Sequence, residues 1–312
     1  MARFNYGGQA LIEGVLMRGR NAIAVAFRHP EGHIVWAAEP LNSGPHGWRL
    51  ATAPLVRGLV VLYETLVIGT RWLIRSANVQ VGEEEEEIGR GTIAIMLGAV
   101  ALVGIGIFFV APLFIAQAVT ANSGSWVQHL IEGLIKVALF LAYLAVIART
   151  PDIRRVFQYH GAEHMTIHAL EAGDPLTTAN VRRYPTAHPR CGTEFLVVLV
   201  ALSIIAFALV GKQELLVGAA TRVVLIPVLA AVGYEVLRWG AKHRANRFVR
   251  AIMWPGILVQ MITTKQPSDD QIEVAIVSMQ QALEADGETV PEGSEMPERS
   301  PLDPIEPAPA PA

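Results

Sequence analysis

Residues 92–121 read TIAIMLGAVALVGIGIFFVAPLFIAQAVTA, without one charged side chain. The hydrocarbon core of a bilayer takes roughly 20 apolar residues to cross, so this stretch is long enough to span it. Pro112 predicts a kink within it. The composition agrees: 312 residues, 52% hydrophobic, only 17% charged, with a mean hydropathy of +0.38. Such a chain is more apolar than a usual soluble domain.

Working outward, a second span is expected over Trp126–Ala148, where Glu132 and Lys136 stand four residues apart and can neutralise each other. Phe195–Gly211 gives a third, and Val223–Leu237 a fourth, with Arg222 placed to snorkel. Upstream, LVRGLVVLYETLVIGTRWLIR repeats Arg57, Glu64 and Arg71 every seven residues, one polar stripe on an otherwise apolar helix. It reads as an amphipathic helix, interfacial or packed on the spans, with a fifth span as the alternative. Still earlier, AIAVAFR (22–28) and HIVWAAE (33–39) flank HPEG and predict a β-hairpin.

The fold class expected is therefore mostly α: a polytopic membrane protein with about four transmembrane helices, a small N-terminal β-rich module and an amphipathic helix before the first span. Its organisation is a β-rich module at 1–50, the amphipathic helix at 51–82, an acidic linker at 83–91 around EEEEE, and two spans at 92–148. A polar loop at 149–194, two more spans at 195–240 and a basic segment and helix at 241–285 follow. In the last of these, Ser268 with Gln271 forms a capping box opening a helix to about Ala285, with Ile272, Ala275, Ile276, Met279 and Leu283 on one face. The Pro-rich acidic residues 286–312 predict a disordered tail.

Charge sets the orientation. TANSGS, between the first two spans, has no basic residue, whereas 149–194 carries Arg149, Arg154, Arg155, Arg182, Arg183 and Arg190. By the positive-inside rule that loop is cytoplasmic, as are both termini, in a multi-pass protein of the inner (plasma) membrane. The lipid bilayer is the expected partner, together with an unknown protein partner or substrate. The net charge of −3 gives no reason to expect nucleic acid. The first residues lack the pattern of a cleaved signal peptide. A single cysteine, Cys191, excludes an intramolecular disulfide framework.

The chemistry concentrates in the cytoplasmic loop. In FQYHGAEHMTIHALEAGD, His160, His164, His168 and Glu171 fall along one stripe of a helix. His160 to His164 reads H-x-x-E-H, the inverted zincin pattern, in which two imidazoles one turn apart share a metal ion and the carboxylate, here Glu163, serves as general base. A wet helix face meeting headgroups is the bland alternative. Pro185 and Pro189 favour an extended turn that presents His188 and Cys191 towards this helix. Cys191 suits a soft metal ligand or nucleophile, or equally a small buried apolar residue. Glu235, near the cytoplasmic end of the fourth span, suits a third carboxylate ligand or an ion pair with Arg238 or a neighbouring span.

The ordered set GGQALIEGVLMRG (7–19), FQYHGAEHMTIHALE (157–171), HPRCGTEF (188–195) and YEVLR followed by PGILVQMITTKQP resembles the YqhQ-like family (DUF1385), bacterial membrane proteins of unknown function often labelled predicted metal-dependent enzymes. The resemblance implies a four-span fold with its signature loops on one side. It marks Gln9, Glu13, Met17 and Arg18 in the N-terminal signature, of which Gln9, Glu13 and Arg18 are candidates for substrate binding. Gln260, Thr263 and Thr264 match the C-terminal one. The function expected is that of a hydrolase dependent on a divalent metal such as zinc, held by His160 and His164 with one of His188, Cys191 or Glu235 as the third ligand, His168 being a further candidate on the stripe. A non-enzymatic membrane scaffold or assembly factor is the alternative, and transport has less support.

Overall fold

A computed structural model of the chain describes residues 6–41, 50–81, 90–120, 124–188, 191–211, 213, 215–243 and 246–302. The expected hairpin is present: β3 (Ala22–Arg28) and β4 (Ile34–Pro40) pair antiparallel from Arg28↔Ile34 to Ala22↔Pro40, around a turn with Gly32 at φ +95. GGQAL and GVLMR form a second hairpin, β1 (Gly7–Leu11) and β2 (Gly14–Arg18), and β2 joins β3. The β1–β2 turn is two residues long, a length that favours positive φ, and Glu13 adopts φ 52 there. A non-glycine residue in that region costs free energy. Arg155 offsets it with two bonds to the Glu13 carboxylate, and the Tyr159 hydroxyl donates a third at 3.2 Å.

Successive side chains of a strand point to opposite faces. Val15, Met17, Ala24 and Ala26 lie on one face of the sheet, and Leu16, Ile23, Val25 and Phe27 on the other, all buried. The first face is covered by α5 (Pro151–Ala172) and α10 (Asp269–Ala285). The second is covered by α1 (Val56–Val81), whose Trp72 packs on Phe27 with ring centroids 6.3 Å apart. The result is a three-layer α/β/α unit, and the sheet expected as a separate N-terminal module depends on helices more than a hundred residues away. The capping box of α10 is present, and its five expected face residues are fully buried.

The polar stripe of α1 is paired with other elements of the chain. Glu64 pairs with Arg18 of β2, Arg71 with Glu39 of β4, and Arg57 with Glu235 of α8 (Leu215–Lys242). Leu55, Leu59, Tyr63, Leu66 and Val67 are left exposed around the same helix. This helix thus docks through its charges together with the buried Val60 and Trp72, and leaves a second apolar face exposed.

The 92–121 stretch begins in α2 (Arg90–Ile105), passes through a π-helical turn (Gly106–Val110) and continues as α3 (Ala111–Val119). The π turn falls beside Pro112, which cannot donate to the helical ladder and whose ring crowds the preceding turn. After α4 (Ser125–Ile147) come α5, the short α6 (Thr178–Val181), α7 (Gly192–Val210), α8 and α9 (Arg247–Thr263). Among the described residues, Gly98–Val119 and Trp126–Ile147 are long and apolar enough to cross a membrane, and Glu194–Val210 is apolar but shorter. Two of the four expected spans thus meet that length and hydropathy, and both leave large apolar side chains such as Leu102 and Val146 exposed. Lys136 bonds Glu132 at 2.6 Å, as the i,i+4 spacing predicts.

One expectation is corrected. Residues 286–302 of the segment expected to be a disordered tail are built into the fold: Arg299–Pro301 forms β5, added in parallel to the edge of β4. Composition misled here because the attachment is made mostly by backbone and polar groups, with Val290 and Leu302 as its few apolar contacts. Glu295 N–H donates to Leu176 O, its carboxylate accepts from Thr178, and Asp286 accepts from the Arg20 and Asn21 amides. The acidic run 83–87 and residues 303–312 lie outside the described residues.

Candidate functional site

Helix α5 starts at Pro151, whose missing N–H costs nothing in a first turn, and ends at Gly173 in the left-handed conformation. Its middle turns carry His160, His164 and His168 on one stripe, as the sequence predicts. Opposite them lie His188 and Cys191. Gln260 of α9 clamps the backbone of His188: its Oε1 accepts from His188 N–H and its Nε2 donates to His188 O, both at 2.9 Å. Thr264 adds a hydroxyl contact to Thr186 at 3.3 Å. The C-terminal signature residues thus hold the site's second wall.

The side chains fall into two triples, and within each the donor atoms lie within 4.8 Å of one another: His160, His164 and Cys191, and then His168, Glu171 and His188. The imidazoles form a continuous series, with ring centroids 4.4 Å apart for His160 and His164, 5.7 Å for His164 and His188, and 4.5 Å for His168 and His188. Backbone carbonyls set the tautomers, because a carbonyl only accepts. His160 Nδ1–H donates to Thr263 O at 2.9 Å, and His164 Nδ1–H to Thr186 O at 2.6 Å. In the neutral rings this leaves both Nε2 atoms with a lone pair, and that of His160 stands 3.2 Å from the Cys191 Sγ. Outer hydrogen bonds of this kind orient histidines that ligate metals. Burial, then the neighbouring His160, keeps His164 neutral by lowering its pKa well below the ordinary value.

Glu163 projects from α5 towards β1. A side chain on Gly8 would meet its Cγ and Cδ at 3.0 Å, and the Gly8 amide bonds the carboxyl. Its Oε2 is buried with no hydrogen-bond partner. Burial pushes its pKa up to about 8, and His160 opposes that rise. In the metal-free protein at neutral pH it is therefore mostly a carboxylic acid, and an adjacent cation would draw it back towards the carboxylate form.

The structure does not bring Glu235 to these triples, which corrects its expected role as a ligand. Arg57 binds it through two nitrogens, at 2.7 Å from Nε, and Leu55 N–H donates to it at 3.1 Å. The ion-pair alternative holds, with Arg57 of the amphipathic helix in place of Arg238. Gln9, Glu13 and Arg18 are each engaged inside the chain: Gln9 against Gly69 of α1, Glu13 with Arg155, and Arg18 with Glu64. Gly161 escaped the sequence reading. A Cβ there would collide with the Lys265 carbonyl, so this glycine sets how closely α5 meets the end of α9. A third triple, His29, Glu31 and His33, sits on the β3–β4 turn with Glu31 exposed.

Fold and site together define an α/β/α unit with a buried His/Cys/Glu cluster, in a chain that also carries helices apolar and long enough to cross a bilayer. The chain belongs to the family described as Protein of unknown function (DUF1385), whose model matches residues 53–285. It is 32% identical over 294 residues to "Uncharacterized protein YqhQ" of Bacillus subtilis (strain 168), covering 89% of this chain and 92% of that protein. No solved structure matches it significantly.

Proposed function

We propose that this chain is an integral membrane hydrolase that depends on a divalent metal, zinc being the best fit, with its site at the cytoplasmic membrane face. One observation carries the reading: two imidazoles and a thiol converge with their donor atoms within 4.8 Å, beside a buried carboxyl whose Oε2 has no partner. The N/N/S donor set suits zinc. The metal would supply a Lewis acid and lower the pKa of water bound to it. The chain's own groups do the rest. His160 and His164 bind through Nε2, Thr263 O and Thr186 O hold their rings, and Glu163 Oε2 takes a proton and later returns it. In the same reading the four expected spans anchor the unit, with both termini cytoplasmic, and helix α1 lays its exposed apolar face in the bilayer interface.

The test uses purified protein loaded with zinc and a panel of activated carboxylic and phosphoric esters. Glu163→Gln is expected to keep the metal and to lose at least about 100-fold in rate. Equal rates for wild type and this variant would overturn the assignment. The second reading, a membrane scaffold or assembly factor, is favoured by the engagement of Glu13 and Arg18 in ion pairs between layers. It predicts that a Glu163→Gln strain has the wild-type phenotype at normal membrane levels.

A further inference from the structure

We propose that the cluster holds two metal ions side by side, the second one bound by His168, Glu171 and His188. The inference rests on the reading of the cluster as a metal centre and extends it to the rest of the stripe.

Helix geometry argues against a single ion. Eight residues separate His160 from His168, about 12 Å along a helix at 1.5 Å per residue. Ligands of one ion sit about 2.0–2.3 Å from it, so one ion is poorly placed to use the whole stripe. The facing wall resolves this, because each end of the stripe meets its own partner from it. Cys191 stands at His160 Nε2, 3.2 Å away, and the His188 ring lies 4.5 Å from that of His168.

The second triple is prepared as the first is. His168 Nε2–H donates to Ala187 O at 3.0 Å, which in the neutral ring makes Nδ1 the atom that can ligate. His188 Nε2 stands 3.4 Å from Glu171 Oε2, a spacing that suits two donors of a shared ion as well as a weak hydrogen bond. Gln260 fixes the backbone of His188 from both sides. Glu171 is more exposed than its partners, so this position is open to solvent where the first is buried. The donor sets also differ. N/N/S is the softer and N/N/O the harder, and the second position would take a divalent ion such as zinc, manganese or iron without needing a thiolate. Paired ions of this type clamp both the attacking and the leaving oxygen of a displacement, and that role would suit the hydrolase reading.

Metal content per chain, measured on full-length protein purified in detergent and reconstituted with zinc, tests this. Wild type is expected to hold two ions, and His168→Ala with Glu171→Gln to hold one. In cobalt-substituted protein the thiolate-to-metal charge-transfer band belongs to the Cys191 position alone. It should persist in the His168→Ala/Glu171→Gln variant and vanish in Cys191→Ser, which still retains one ion. The spectrum thereby shows that the first position survives the substitutions. A single ion in wild type, unaffected by His168→Ala/Glu171→Gln, overturns the second position and leaves the proposed function standing. No ion in wild type overturns both.

Discussion

At the residue scale, Glu163 is the group whose behaviour the fold alters most. Its folded pKa of about 8 lies above an ordinary value of 4.5, so between these limits the folded protein keeps a proton that the unfolded chain has lost. The stabilisation is complete below about pH 4.5 and is lost as pH rises through 8. In protein stripped of metal by chelation, Glu163→Gln removes the titration while preserving shape. At pH 9 the variant should melt higher than wild type, by on the order of 5 °C, and the difference should shrink to little at pH 5. Parallel melting curves across that range would contradict the buried, proton-holding carboxyl. Glycine acts by absence at the neighbouring position. Gly161→Ala drives a methyl group into the Lys265 carbonyl and is expected to cost about 1–3 kcal/mol in denaturant titrations. It should also weaken metal binding, because His160 is held by Thr263 on the same segment.

At the scale of elements, α1 shows how a correct pattern can be read with its sense open. The seven-residue recurrence of Arg57, Glu64 and Arg71 identifies the helix and its stripe. Their partners Glu235, Arg18 and Glu39 are scattered through the chain, so the pattern alone does not say whether the stripe faces water or protein. Glu235→Gln should lower stability by about 1 kcal/mol and leave metal content at the wild-type value. A loss of metal in that variant would return Glu235 to the ligand set. The α5 stripe was legible because the i,i+4 spacing survives whatever packs on it. The triples were less so, since Gln260 and the Thr186 carbonyl that orient them carry no local signature of that role.

At the scale of the whole molecule, hydropathy made the apolar helices visible, and two short apolar runs around a Pro/Gly turn marked the β3–β4 hairpin. The three-layer unit was hidden by sequence distance. Strands from the first 40 residues are covered by α5 and α10, and the sheet is completed by β5 near residue 300. The strap from Ser294 to Pro301 makes polar and backbone bonds at Leu176, Thr178 and β4. Deleting residues 294–312 should destabilise the unit by about 3 kcal/mol, from several hydrogen bonds at roughly 1 kcal/mol each, which unfolding of the truncated protein will show. The central claim, that His160 and His164 hold a divalent ion, is tested most directly by the metal content of wild type against His160→Ala/His164→Ala, each purified monodisperse at normal yield. The double variant should hold at least one ion per chain fewer than wild type. Equal content in the two proteins would contradict it.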